Sequence, residues 1–209
     1  DTITIDHDGP GFTVHGGLWD GRRLYDLYQE AHTPWDWHER LFAHAREIGI
    51  TIFSSPFDPT AVELLESLDA PAYKIASFEL VDLPLIELCA RTGKPLIMST
   101  GLASPAEIAE AVAAARGAGA SEIIVLHCNS GYPTPPSDMN LMTLPHLAAQ
   151  HGVVTGLSDH TMGVTASVAA VALGACFIEK HFTLSRAEGG VDSDFSLEPA
   201  ELERLVVEC

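Results

Sequence analysis

Six short apolar segments punctuate this chain, and each closes on polar or ionisable side chains. They are ITIFSS (50–55), AYKIAS (72–77), PLIMST (95–100), EIIVLHC (122–128), VVTGLSDH (153–160) and CFIEKHF (176–182). Each has strand length and is rich in Ile, Val, Leu or Phe. Helix-like stretches lie between them at 60–68, 80–92, 104–120, 140–152 and 163–175, with one more at 198–209. The stretch 104–120 is the best signalled, with Ser104 as N-cap, Pro105 at the first helical position and Glu107 three residues after the cap. Strand and helix alternating at this spacing predict parallel strands joined by crossover helices.

Two architectures satisfy that alternation, a doubly wound open sheet and a (β/α)8 barrel. The open sheet gathers its ligands at one switch point. The barrel collects the C-terminal ends of all its strands around one mouth. Here all six ends carry chemistry: Ser54 and Ser55, Lys74 and Ser77, Ser99 and Thr100, His127 and Asn129, Ser158 to His160, and Glu179 to His181. A single polar strand end is most simply a strand meeting solvent, but six in succession favour the barrel.

The chain has only three lysines, so their positions are informative. Within AYKIAS, Tyr73 and Ile75 share one face while Lys74 shares the other with Ala76. A parallel strand is buried on both faces, so Lys74 points into a core or a lumen. A buried ammonium requires an anion or loses its proton. Three readings stay open: a phosphate or carboxylate ligand, a structural ion pair, or a Schiff-base nucleophile. His160 and His181 end neighbouring strands and are candidates to bind a divalent metal, with water and substrate oxygens completing the shell. Lys180 alternates to the opposite face from Glu179 and His181, where a helix-side ion pair is expected.

Composition narrows the classes further. The 209 residues carry 29 acidic against 11 basic side chains, a net charge of −18. Such a surface repels phosphate backbones and argues against nucleic-acid binding. No apolar run reaches the roughly 18 residues of a membrane span, and DTITIDHDGPG has neither the basic start nor the apolar core of a signal peptide. Cys89, Cys128, Cys176 and Cys209 show no metal-like or paired spacing. The first three are read as reduced packing residues of a cytoplasmic protein.

The motifs YKIASFE, KPLIMSTG, LHCNSGYPTP, LSDHTMG, GACFIEKHFTLSR and GGVDSDFSLEP strongly resemble those of the sialic acid synthases. Together with LYDLYQEAHTPWDWHERLF (24–42), they look most like the pseudaminic acid synthase branch. The resemblance runs from about Ile50 to Pro199. It implies a TIM barrel that condenses phosphoenolpyruvate with an N-acetylated amino sugar, giving a nine-carbon 2-keto sugar acid. For this branch the acceptor would be a 2,4-diacetamido-2,4,6-trideoxy-altrose. The resemblance places DTITID after a second barrel strand. The chain is therefore expected to hold about six βα units (49–209) behind a lead-in segment and helix (1–48). The resemblance implies two earlier units and a C-terminal antifreeze-like domain outside these residues, and the full-length protein is expected to be a homodimer.

The resemblance also assigns roles. His160 and His181 would hold Mn2+ or Mg2+. Lys74, Ser77, Ser99, Asn129 and Ser158 would bind phosphoenolpyruvate, with Ser55 joining them. Glu179 would assist proton transfer or orient the sugar, Asp192 would bind sugar hydroxyls, and Tyr132 would contact the sugar or line the mouth. Lys74, Glu179, His160 and His181 form the expected catalytic set. Neuraminate and legionaminate synthases share most of these motifs. A class I aldolase using Lys74 and a non-catalytic sugar-binding fragment are the competing readings.

Overall fold

The computed structural model describes residues 4–209, so the first half of DTITID lies outside the described residues. Five strands form one parallel sheet: β1 (Tyr73–Ile75), β2 (Leu96–Ser99), β3 (Ile123–Cys128), β4 (Val154–Asp159) and β5 (Ile178–Lys180). Their spatial order is β1-β2-β3-β4-β5, identical to the chain order. A doubly wound sheet reverses direction at its switch point. This sheet has no reversal, and that is the arrangement of consecutive staves in a barrel.

The crossovers are α4 (Leu83–Arg91), α5 (Pro105–Gly117), α6 (Thr143–His151) and α7 (Thr165–Ala172). Preceding the sheet are α1 (Leu24–Ala31), α2 (His38–Ile48) and α3 (Pro59–Ser67), and α8 (Pro199–Glu208) follows it. The capping box of α5 forms as the sequence predicts. The Ser104 side chain accepts the Glu107 N–H, and the Glu107 carboxylate accepts the Ser104 N–H. Glycine closes α6, where Gly152 adopts φ +58°, the left-handed conformation that ends a helix without Cβ strain.

One predicted strand does not form. ITIFSS contributes a single bridge, Ser54 to Tyr73, with the Lys74 N–H donating to the Ser54 carbonyl at 3.2 Å. Its neighbour β1 is only three residues long, and no described strand flanks its other side. A ladder with one short partner leaves most of its backbone groups unpaired. Five strands and a bridging segment therefore stand where six strands were expected.

Side-chain alternation divides the core into two layers. Tyr73, Ile75, Leu96, Met98, Ile123 and Val125 face the helices and join Leu85, Ile86, Val112 and Leu147 in the largest apolar cluster. Ala72, Ile97 and Leu126 face the other way, against Phe53, Ile124 and Phe177. The two layers show which side of each strand is the lumen, and Lys74 lies on it. The cysteine reading needs one correction. Cys89 and Cys128 are buried, but Cys176 is exposed because it sits on the turn before β5 rather than within the strand.

Candidate active site

The lumen-facing residues at the C-terminal strand ends meet on consecutive rungs. Cys128 pairs in register with Ser158, and Ser158 with Glu179. The Ser158 hydroxyl donates to Glu179 Oε1 at 2.6 Å. Lys74, only 8% exposed, reaches across the sheet to within 3.5 Å of Glu179 Oε2 and also lies 3.4 Å from the Ile75 carbonyl. A buried ammonium and a hydrogen-bonded carboxylate therefore face each other over the lumen.

A pocket of hydroxyls adjoins them. Ser77 Oγ accepts the Gly101 N–H at 3.0 Å and donates to the Cys128 sulfur at 3.5 Å. The buried hydroxyls of Ser99 and Ser130 have no hydrogen-bond partner among the described residues. Buried donors without partners are rare in native proteins and mark places where a ligand or water belongs. Gly101 leaves room at the same spot, since a Cβ there would sit 2.4 Å from Ser130 Oγ and 2.8 Å from Ser77 Oγ. The Ser77 and Ser130 hydroxyls at a bare glycine, with the orphan Ser99 hydroxyl on β2 beside the strand that carries Lys74, make a cradle suited to an oxyanion.

The two histidines lie one rung further along. Their ring centroids are 5.2 Å apart. His160 Nδ1 donates to the Asn129 carbonyl at 2.9 Å, and His181 Nδ1 is 3.3 Å from Asp192 Oδ2. In both rings the Nδ1 side is engaged, which leaves Nε2 available as a ligand. Burial holds His160 below the ordinary histidine range, in the neutral form that can ligate. This donor set fits a divalent ion. Among the described residues no group of three or more His, Cys, Asp or Glu side chains is arranged to hold a metal alone. A bound ion would therefore take its remaining ligands from water and substrate.

Several expected residues take up somewhat different positions. The Asn129 amide donates to the Asp138 carbonyl at 2.5 Å, so one of its donors is occupied by the 129–140 loop, while its own carbonyl orients His160. Asp192 supports His181 rather than pointing freely into the mouth. Ser55 lines a cavity of about 260 Å³ with His32, Trp35, His38 and Asp58, and Lys74 and Glu179 are not part of that cavity. His127 lies on the helix side, where Nε2 bonds the Met139 carbonyl at 2.5 Å. Tyr132 packs 4.5 Å from the His160 ring, and burial raises its phenol to about 12.

Sequence reasoning missed three residues here. Trp19 folds back from the lead-in segment onto Tyr132 (5.5 Å) and Phe195 (6.3 Å), and its indole donates to the Val191 carbonyl at 2.8 Å. Phe195 packs 4.9 Å from His181, so an aromatic wall stands beside both histidines. No local pattern marks Trp19, because its partners are over a hundred residues away. The third is Glu79, in the 3-10 turn Phe78–Val81 after β1. Burial raises its carboxyl to about 7, partly offset by the charge of Lys74, and Oε2 has no partner among the described residues. Its place at the end of YKIASFE was the available signal.

The chain is 47% identical over 196 residues to a pseudaminic acid synthase of Helicobacter pylori, covering 94% of this chain and 58% of that protein. It is 44% identical over 206 residues to a pseudaminic acid synthase of Campylobacter jejuni, covering 99% and 60% respectively. The chain thus spans less than two thirds of the length of these relatives. The crystal structure of an N-acetylneuraminic acid synthetase from Leptospira borgpetersenii, in complex with citrate, superposes with a TM-score of 0.85 at 34% identity, over 88% of this chain and 65% of that one. A NeuB family model matches residues 1–209, from end to end, and the chain belongs to the NeuB family.

Proposed function

We propose that this chain supplies most of the catalytic barrel of a pseudaminic acid synthase. That enzyme would join phosphoenolpyruvate to 2,4-diacetamido-2,4,6-trideoxy-altrose and release phosphate. The observation that carries the reading is the oxyanion cradle of Lys74, Ser77, Ser99 and Ser130, next to two imidazoles with free Nε2 atoms. The similarity to pseudaminic acid synthases supports the choice of acceptor. The complete mouth would include barrel strands outside these 209 residues, and the whole enzyme would be a homodimer.

Lys74 and the serine hydroxyls bind the phosphate and carboxylate of phosphoenolpyruvate, and Lys74 then exchanges its Glu179 partner for the ligand. His160 and His181 would hold Mn2+ or Mg2+, and that ion, when bound, would supply Lewis acidity to the condensation. C3 of phosphoenolpyruvate forms the new bond to the aldehyde carbon. Water adds at C2, and the C2–O bond to phosphate breaks. Glu179, once released by Lys74 and still held by Ser158, is the carboxylate at the reacting centre. It takes a proton from the water that adds at C2 and passes it to the former aldehyde oxygen, which becomes a hydroxyl, while the second proton of that water leaves with phosphate. The aromatic wall of Trp19, Tyr132 and Phe195 packs against the apolar groups of the acceptor.

The test uses the full-length protein with phosphoenolpyruvate, Mn2+ and a panel of N-acetylated sugar aldehydes. Acceptor-dependent phosphate release and a product mass equal to the nine-carbon acid are expected, and both are lost in His160→Ala and His181→Ala. No phosphate release with any acceptor would overturn the reading. A borohydride-trapped pyruvate adduct on Lys74 would replace it with the aldolase.

A further inference from the structure

Immediately behind the two histidines, on the helix side of the sheet, β4 and β5 share a second registered pair. Asp159 lies opposite Lys180. Their side chains are 0% and 4% exposed and approach to 3.2 Å. Asp159 is the residue before His160, and Lys180 is the residue before His181. We infer that this buried pair is a positioning device that sets the two imidazoles at their common distance. The inference rests on the proposed metal role of His160 and His181.

The hydrogen bonds show how the setting works. Asp159 Oδ1 accepts the Thr161 N–H at 2.8 Å, and Oδ2 accepts the Ser167 hydroxyl of α7 at 2.6 Å. The Thr161 N–H belongs to the same peptide unit as the His160 carbonyl, which accepts the Thr134 N–H at 3.0 Å. That peptide plane is therefore held at both ends, and the direction in which His160 leaves the strand is fixed. Lys180 donates to the next carbonyl, that of Thr161. It ties β5 to the turn after β4 just before His181 begins. The His181 carbonyl is held in turn by the Leu197 N–H at 2.8 Å. Two strands that ended without this bridge would splay apart, and their last lumen residues would separate most. A hydrophobic pair could fill the same space, but it could not hold the Thr161 N–H and C=O together.

The test measures Mn2+ affinity by electron paramagnetic resonance and phosphoenolpyruvate affinity by calorimetry without metal, on the full-length protein. Lys180→Met, similar in shape but one atom shorter and uncharged, is expected to weaken Mn2+ by about 10–100-fold, the usual cost of losing a residue that orients a ligand. Phosphoenolpyruvate affinity, which depends on Lys74, stays unchanged. Ser167→Ala keeps the ion pair and removes one bond to Asp159, so it gives a smaller loss in the same direction if Lys180→Met does not fold. Unchanged Mn2+ affinity in a folded Lys180→Met, or in Ser167→Ala where Lys180→Met does not fold, overturns the inference. So does a parallel loss of both ligands, which would mean a purely structural pair. If the unaltered protein binds phosphoenolpyruvate but no Mn2+, the metal reading itself falls, and this inference falls with it.

Discussion

Gly156→Ala tests how tightly the last two strands are set. Gly156 lies in β4, opposite Leu126 of β3, on the lumen side beneath Ser158. A Cβ there would lie 2.3 Å from the Phe177 carbonyl oxygen, 2.7 Å from Leu126 Cδ2 and 2.8 Å from Phe177 Cβ. Ordinary contact begins at 3.4 Å, so the nearest clash is 1.1 Å too close, and it is with backbone that cannot rotate away. The same Phe177 carbonyl accepts the Leu157 N–H at 2.9 Å. Separating the strands to admit the methyl group therefore also breaks a buried hydrogen bond. Overpacking of this kind costs about 1–3 kcal/mol, and the bond adds about 1. A total near 3 kcal/mol corresponds to a fall in melting temperature of about 6–12 °C for a domain of this size. Thermal unfolding of the full-length protein followed by circular dichroism gives the value directly. A fall of under about 2 °C would show that β4 and β5 yield without cost, and the rigid rung from Ser158 to Glu179 would lose its basis.

Three further outcomes are expected. Lys74→Met removes the cation of the cradle and should weaken phosphoenolpyruvate by about 2 kcal/mol, roughly 30-fold, while leaving sugar affinity largely intact; titration calorimetry with each substrate separates the two. Glu79 is held at about 7 by burial, so the folded state keeps its proton while the unfolded chain loses it. Its contribution to stability is full below about pH 4.5 and is lost as pH rises through 7, about 3 kcal/mol in total. Glu79→Gln should flatten that decline in urea titrations run from pH 4.5 to 8, and an unchanged slope would count against a buried neutral carboxyl. Ser104→Ala removes the N-cap of α5 and should cost about 1 kcal/mol, read as a drop of about 2–4 °C in melting temperature with Mn2+ affinity unaltered.

The alternation of apolar strands and helices was enough to give parallel connections, because local periodicity and capping are encoded within a few residues of where they act. Lys74, Glu179 and Lys180 could likewise be assigned to faces, since a strand's two-residue period needs no tertiary information. The sequence motifs also brought the chain to its family. They did not show that ITIFSS would remain a single bridge, because a strand exists only where neighbours supply a ladder. Nor did they show that Asn129 and Asp192 would support the histidines from behind, or that Trp19 would close the aromatic wall. Those placements depend on contacts between residues far apart in the chain, and only the folded sheet brings them within reach. The orphan hydroxyls of Ser99 and Ser130 belong to the same class. A side chain's partners and its solvent are set by the packed structure around it, and no local pattern records them.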